Sequence, residues 1–265
     1  MASGRRYDAV FFDLYGTLVD VRTDEDAPAA WRTLRLALAA HGVDYTTERA
    51  LYTRFESLAA PLRLAAVRSR GRWAEPDLLP AFAGLLRADA DADGDAIGVA
   101  GAAGADVAAG IPGAAADLAW TFRRASTSLL RTYPGAFDLL ASLHAAGMRT
   151  VLVSNAQSCY TRPELTLLGL DRALDRIVIS SEEGIRKPSP DFFRIALERE
   201  GLDPSRVLMV GNDERCDIIG ARSAGIDGAY LRTAISPADD PAASDTAVAS
   251  FDGADYDGLL EHIMR

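Results

Sequence analysis

Cysteine and histidine are scarce in this chain. Its 265 residues include two cysteines, Cys159 and Cys216, and three histidines, His41, His144 and His262. The cysteines form no Cys-x-x-Cys pair, and nothing suggests a disulfide framework. The histidines fall in helix-like stretches away from every motif below, which argues against a histidine base. Positive charge is also in deficit: 28 Lys and Arg against 38 Asp and Glu leave a formal net charge of -10. Nucleic acid and anionic membrane need clustered Lys and Arg, so neither is expected as the main partner. An anionic small molecule stays compatible, because a local field can oppose the global one. No apolar run approaches membrane-spanning length and the N-terminus lacks a signal peptide. These absences point to a soluble, cytoplasmic protein. Nothing in the sequence speaks to its oligomeric state.

What the chain does have is an ordinary apolar content of 49%, enough for one large domain or a core with an inserted one. The most informative stretch is Val10-Phe11-Phe12-Asp13-Leu14-Tyr15-Gly16-Thr17-Leu18-Val19-Asp20. Ala9 to Phe12 reads as a short buried strand that stops at a carboxylate, Asp13. Gly16 permits a tight turn there, and Thr17 can hydrogen-bond locally. An acid just beyond the carboxyl end of a strand in an open α/β sheet is placed to act as a nucleophile, or simply to cap the turn.

After Asp20 the pattern turns helical. Trp31, Leu34 and Leu38 recur at helical spacing. Leu51, Phe55, Leu58 and Leu62 form a second apolar face, with Pro61 expected to kink or split it. Leu78, Phe82 and Leu85 make a third segment. Residues 88–117 are nearly all Ala, Gly and Asp and read as a flexible loop with, at most, a weak helix at its end. A further helix is expected from Leu118 to Tyr133. No strand is evident between Val21 and Tyr133, so this insertion is expected to be all-helical. From Pro134 helices and strands alternate, with strands at Thr150–Val153, Ile177–Ile179, Val207–Val210 and Ala229–Leu231. Helices are expected over 136–146, 163–168, 191–200, 218–224 and 259–264. The alternation predicts a parallel, Rossmann-like sheet with helices on both faces. The expected division is 1–20 and 132–265 for that core and 21–131 for the helical insertion.

Ser154 and Asn155 follow one strand. Asn212, Asp213 and Asp217 follow another, and the loop Gly184-Ile185-Arg186-Lys187-Pro188-Ser189-Pro190 presents a lysine between them. Parallel strands put their carboxyl ends on one side, so these groups should converge with Asp13. Two carboxylates about 4 Å apart repel by roughly 4 kcal/mol at an effective dielectric near 20, which a lysine or a metal ion relieves. Ser154 and local backbone N–H groups can bind an oxyanion. Taken singly, each of these residues is an ordinary turn, cap or surface residue; their order, each after its own strand, is what points to a site.

In that order the four segments resemble the motifs of the haloacid dehalogenase superfamily, most of whose members are phosphatases. Asp13 matches the nucleophile, Ser154 the Ser or Thr after the second strand, Lys187 the lysine, and Asn212 to Asp217 the acidic cluster. The insertion matches the family's cap by position. The resemblance implies a Mg²⁺-dependent phosphatase of a small phosphate ester acting through an aspartyl-phosphate at Asp13. It implies catalytic roles for Asp13, Tyr15, Ser154, Asn155 and Lys187, and a metal held by Asp13, the Tyr15 carbonyl and Asn212 or Asp213, with Asp217 of the same acidic cluster counted among the metal-site residues. The family's phosphatases carry Asp where this chain has Tyr15, and that Asp is their general acid. A phenol there is a poor substitute, with an unperturbed pKa of about 10. The 2-haloacid dehalogenases of the family have Tyr at this position and use no metal, which makes a dehalogenase-like hydrolase the alternative. Their acidic segment differs from Asn212-Asp213-Glu214, and Arg32 and Arg35 are no clear counterpart of their substrate-binding arginine. A non-catalytic binding protein on the same fold is a third reading. Arg123 and Arg124 could reach an anionic substrate, or lie on an exposed helix face.

Overall fold

The computed structural model describes residues 5–87, 96–98 and 105–265. Its centre is β1 (Ala9–Phe12), an apolar four-residue strand buried on both faces. The chain then forms β2 (Val19–Thr23), β3 (Val43–Tyr45), β4 (Ala96–Gly98) and β5 (Thr127–Thr132), followed by β6 (Arg149–Ser154), β7 (Arg176–Ile179), β8 (Val207–Gly211), β9 (Asp227–Arg232) and β10 (Ala249–Asp252). Six of these make one sheet in the order β10-β9-β8-β1-β6-β7, and every pairing in it is parallel. Side chains of a strand alternate between faces, and β1 shows why both are apolar. Val10 and Phe12 pack into one core with the helices Ala136–Ala145 and Tyr256–Met264, whereas Ala9 and Phe11 pack into another with Phe192 and Phe193 of the helix Pro190–Glu200. The expected Rossmann-like sheet with helices on both faces is thus present. β10, at the sheet edge, was not legible in the sequence.

The segment between β2 and β5 builds a core of its own around Trp31, Leu34, Leu51, Phe55, Phe82 and Phe122, with the Trp31 and Phe122 ring centroids 4.8 Å apart. Its helices include Pro28–Ala40, Glu48–Arg70, Leu79–Leu85 and Ala105–Ser126. The expectation of an all-helical insertion is corrected. β2 and β5 pair antiparallel from Val19–Thr132 to Thr23–Thr127, and β3 pairs with β4. Partners more than a hundred residues apart in the first ribbon, and more than fifty apart in the second, supply hydrogen bonds that no local pattern announces. The helix expected to reach Tyr133 ends at Ser126 instead, where the Ser126 and Thr127 hydroxyls both donate to the Arg123 carbonyl and compete with the helical ladder. Pro61 is exposed inside a helix that stays continuous from Glu48 to Arg70. Of the expected loop at 88–117, residues 105–117 are helical and 96–98 are strand; the rest lies outside the described residues.

Candidate active site

Asp13 continues the central strand by one hydrogen bond, its N–H donating to the Val210 carbonyl at 2.9 Å. Its side chain meets Lys187, whose ammonium lies 2.7 Å from Asp13 Oδ1 and 2.7 Å from Asp217 Oδ1. Lys187 and Asp217 side chains are each 1% exposed and Asp13 12%, so the relay has two dry members and one at the wall of a cleft. Burial alone would depress the Lys187 ammonium, but the two carboxylates outweigh it and hold it above its ordinary value. Burial raises the Asp217 carboxyl, with Lys187 pulling the other way and Asp13 adding to the rise. Asp13 Oδ2 has no protein donor among the described residues.

The lysine is held from behind. Asn155 accepts the Lys187 N–H at 2.8 Å and donates to the Lys187 carbonyl at 3.0 Å. Asn155 therefore acts here as a two-bond clamp on the lysine loop. Ser154 ends β6 fully buried, and its hydroxyl has no hydrogen-bond partner among the described residues. It is not among the residues lining the cleft.

The turn after Asp13 is close-packed against the acidic segment. Gly16 has φ +89°, and a Cβ there would sit 2.2 Å from Asn212 Nδ2. Thr17 donates to Asn212 Oδ1 at 3.3 Å. Gly211 plays the same part below, since a Cβ on it would lie 2.2 Å from Asp217 Oδ2. That oxygen accepts the Asp213 N–H at 3.0 Å, while Asp213 Oδ1 caps the following π-type turn by accepting the Cys216 N–H at 2.7 Å. The result is a cleft of about 190 Å³ lined by Asp13, Tyr15, Lys187, Asn212, Asp213 and Asp217 among others. The sequence-derived groups converge as the parallel topology requires, apart from Ser154, which lies behind the lining.

Tyr15 is where sequence reading fell short. Its hydroxyl donates to Glu164 Oε2 and lies 3.0 Å from Thr161 Oγ1. Glu164, 1% exposed, is bound in turn by Arg123 at 2.6 Å, and the guanidinium lies 5.6 Å from the centroid of the Tyr15 ring. Burial and the Glu164 charge hold the phenol well above its ordinary value, so it stays protonated and engaged. This corrects the view of Tyr15 as a stand-in acid: its one proton is already given to Glu164. It also corrects Arg123, which is 7% exposed and paired with Glu164 and Glu25, leaving it no free face for a substrate. Arg32 and Arg35 both reach Glu48, away from the cleft. The missed residues, Thr161 and Glu164, had one faint signal: a carboxylate three residues after a threonine on the helix that follows Asn155.

The donor set suits a hard divalent cation. Asp13, Asn212 and Asp213, all with oxygen-bearing side chains, line the same cleft, and the formal charge of the three carboxyls Asp13, Asp213 and Asp217 against one ammonium is -2. No three acidic, cysteine or histidine side chains among the described residues form a ready-made cage, so protein carboxylates would supply only part of the coordination, as is usual for Mg²⁺. Asp217 is spent on Lys187 and on the Asp213 N–H, and is better read as the residue that positions the lysine than as a ligand.

A family model for haloacid dehalogenase-like hydrolases matches residues 7–225. The chain belongs to that family. Among relatives, a glyceraldehyde 3-phosphate phosphatase of Methanothermobacter thermautotrophicus is 33% identical over 119 residues, covering 45% of this chain and 53% of that protein. A phosphoserine phosphatase of Thermus thermophilus is 34% identical over 141 residues, covering 53% and 56%. The chain thus spans about half the length of the curated relatives it matches. A phosphatase of the haloacid dehalogenase family from Thermococcus onnurineus superposes with a TM-score of 0.57 at 20% identity over 97% of both chains. A dehalogenase superposes with a TM-score of 0.54 at 19% identity over 97% of this chain and 96% of its own. Both structures share the haloacid dehalogenase fold with this chain. No helix among the described residues is long and apolar enough to cross a membrane.

Proposed function

We propose that this hydrolase cleaves a small phosphate monoester through an aspartyl-phosphate on Asp13. The observation that carries the reading is Lys187 at 2.7 Å from Asp13, which pairs with one carboxylate oxygen and leaves the second without a protein donor among the described residues, in a side chain that lines the cleft. In the first step Asp13 Oδ2 forms a bond to phosphorus and the ester oxygen leaves with the bonding pair. In the second, water attacks phosphorus, the bond to Asp13 breaks, and inorganic phosphate departs. Lys187, itself buried, offsets the negative charge of the approaching phosphoryl group. Asn155 keeps the lysine backbone in register, and Asp217 holds its ammonium toward Asp13. The Asp13 carboxylate, the Tyr15 carbonyl, Asn212 and Asp213 would hold Mg²⁺, which supplies charge neutralisation at the phosphoryl oxygens.

One observation favours a second reading. The Tyr15 hydroxyl is engaged with Glu164, and displacement of halide by Asp13 needs no proton on the leaving group. A dehalogenase-like hydrolase, in which Asp13 forms a carbon ester with the substrate, is therefore the alternative. The two separate in one screen: phosphate release from a panel of phosphorylated metabolites, with and without Mg²⁺, beside 2-chloropropionate with halide detection. Phosphate release stimulated by Mg²⁺ and abolished by Asp13→Asn supports the first reading. Halide release alone, unaffected by chelator, replaces it with the second.

A further inference from the structure

The turn after Asp13 carries four consecutive backbone carbonyls, at residues 15 to 18, and the first of these residues, Tyr15, lines the cleft. Three are taken. The Leu18 carbonyl accepts the Tyr133 N–H at 3.0 Å. The Gly16 carbonyl accepts the Thr233 hydroxyl at 2.8 Å, and the Thr17 carbonyl accepts the Tyr256 hydroxyl at 2.5 Å. The Tyr15 carbonyl has no donor among the described residues. The two side-chain bonds come from far along the chain: Thr233 follows β9, the strand next to β8 in the sheet, and Tyr256 opens the C-terminal helix. Both residues are buried, at 7% and 5% exposure. The Tyr15 carbonyl shares one planar peptide with the Gly16 N–H, which donates to the Val19 carbonyl at 2.8 Å, and the bonds at the Gly16 and Thr17 carbonyls restrict the φ and ψ rotations of Gly16 and Thr17 that would let this peptide swing.

We infer that Thr233 and Tyr256 are positioning residues for a divalent cation, pinning the neighbouring carbonyls so that the Tyr15 carbonyl alone is left as a backbone ligand beside Asp13. The inference rests on reading the cleft as a divalent-cation site. Neither residue touches the cation. They act on it as outer partners act on the ligands of metal sites, where their loss weakens affinity by about 10- to 100-fold. Gly16 supports the arrangement: with no Cβ it lets the turn lie against Asn212, the neighbouring oxygen donor.

The test is Mg²⁺ titration by calorimetry on the full chain, with Thr233→Val, Thr233→Ser and Tyr256→Phe. Thermal unfolding without metal is measured alongside. Thr233→Val and Tyr256→Phe should each weaken Mg²⁺ binding by about 10- to 100-fold, and Thr233→Ser should restore most of it. Lowered unfolding temperatures with unchanged Mg²⁺ affinity assign the two hydroxyls a purely structural role and overturn the inference. A Thr233→Ser variant as weak as Thr233→Val overturns it too, because the hydroxyl would then not be the cause. Wild-type protein that binds no Mg²⁺ at millimolar concentration removes the cation reading itself, and this inference with it, while leaving the covalent Asp13 intermediate to be judged by the turnover screen.

Discussion

Replacing Lys187 by Met tests the relay at its centre. The substitution keeps the length of the buried stem and removes the ammonium that sits 2.7 Å from both Asp13 and Asp217. Asp13 lies at the cleft wall and can hydrate. Asp217 cannot: it is 1% exposed and would keep a single donor, the Asp213 N–H at 3.0 Å. Removing one partner of a buried ion pair costs about 3–5 kcal/mol. A carboxylate stranded in this way binds a proton. Burial already raises the Asp217 carboxyl in the native protein, and losing Lys187 raises it further. A raised folded-state value means that the stability it confers is complete below the unfolded carboxyl's value and is lost as pH rises through the folded one. The penalty of Lys187→Met therefore grows with pH, by at most about 1.4 kcal/mol per unit. Urea unfolding at about pH 5 and about pH 8 should show a gap to wild type of about 3–5 kcal/mol at the higher pH and a smaller one at the lower. Adding Asp217→Asn to the variant should narrow the gap at the higher pH, because the stranded charge is gone. A gap below about 1 kcal/mol at the higher pH, or one that does not shrink on acidification, refutes the reasoning.

Asn155→Ala removes both bonds to the Lys187 backbone and should lower kcat by up to about 100-fold with little change in KM; an unchanged kcat would mean the lysine loop needs no clamp. Because the Tyr15 proton is given to Glu164, kcat/KM on the phosphatase reading should favour p-nitrophenyl phosphate over alkyl phosphates by about 10²- to 10⁴-fold. Tyr15→Phe should leave that ratio unaltered, whereas a selective loss on alkyl esters would identify the hydroxyl as the acid. Glu200 is raised by burial but lowered more by Arg149 and Arg176, so the stability it adds is present above its ordinary value of 4.5 and lost as pH falls through the lower folded one. The stability gap between wild type and Glu200→Gln should accordingly close in acid, as urea unfolding will report; a gap that persists there would assign the stabilisation to packing.

The sequence by itself determined five of the six strands of the parallel sheet and the residues that gather at the candidate cleft. Short apolar strands such as Ala9–Phe12 must be buried on both faces, and each ends in a polar residue that topology carries to one side of the sheet. That is why Asp13, Lys187, Asn212, Asp213 and Asp217 could be gathered before any coordinates. Local pattern also found the helices packed on Trp31, Phe55 and Phe82. What it could not find were partners set by distance in the chain: the β2–β5 ribbon, the β3–β4 pair, and the edge strand β10. Those depend on hydrogen bonds between segments whose own periodicity is too short to declare them. Side-chain direction was equally out of reach. Sequence placed Tyr15 beside Asp13, but only packing decided that its hydroxyl would point to Glu164, that Arg123 would be buried with it, and that Asp217 would be spent on Lys187. A buried charge takes whichever partner the fold brings within about 3 Å, and spacing along one helix or turn does not reveal a partner delivered from another element.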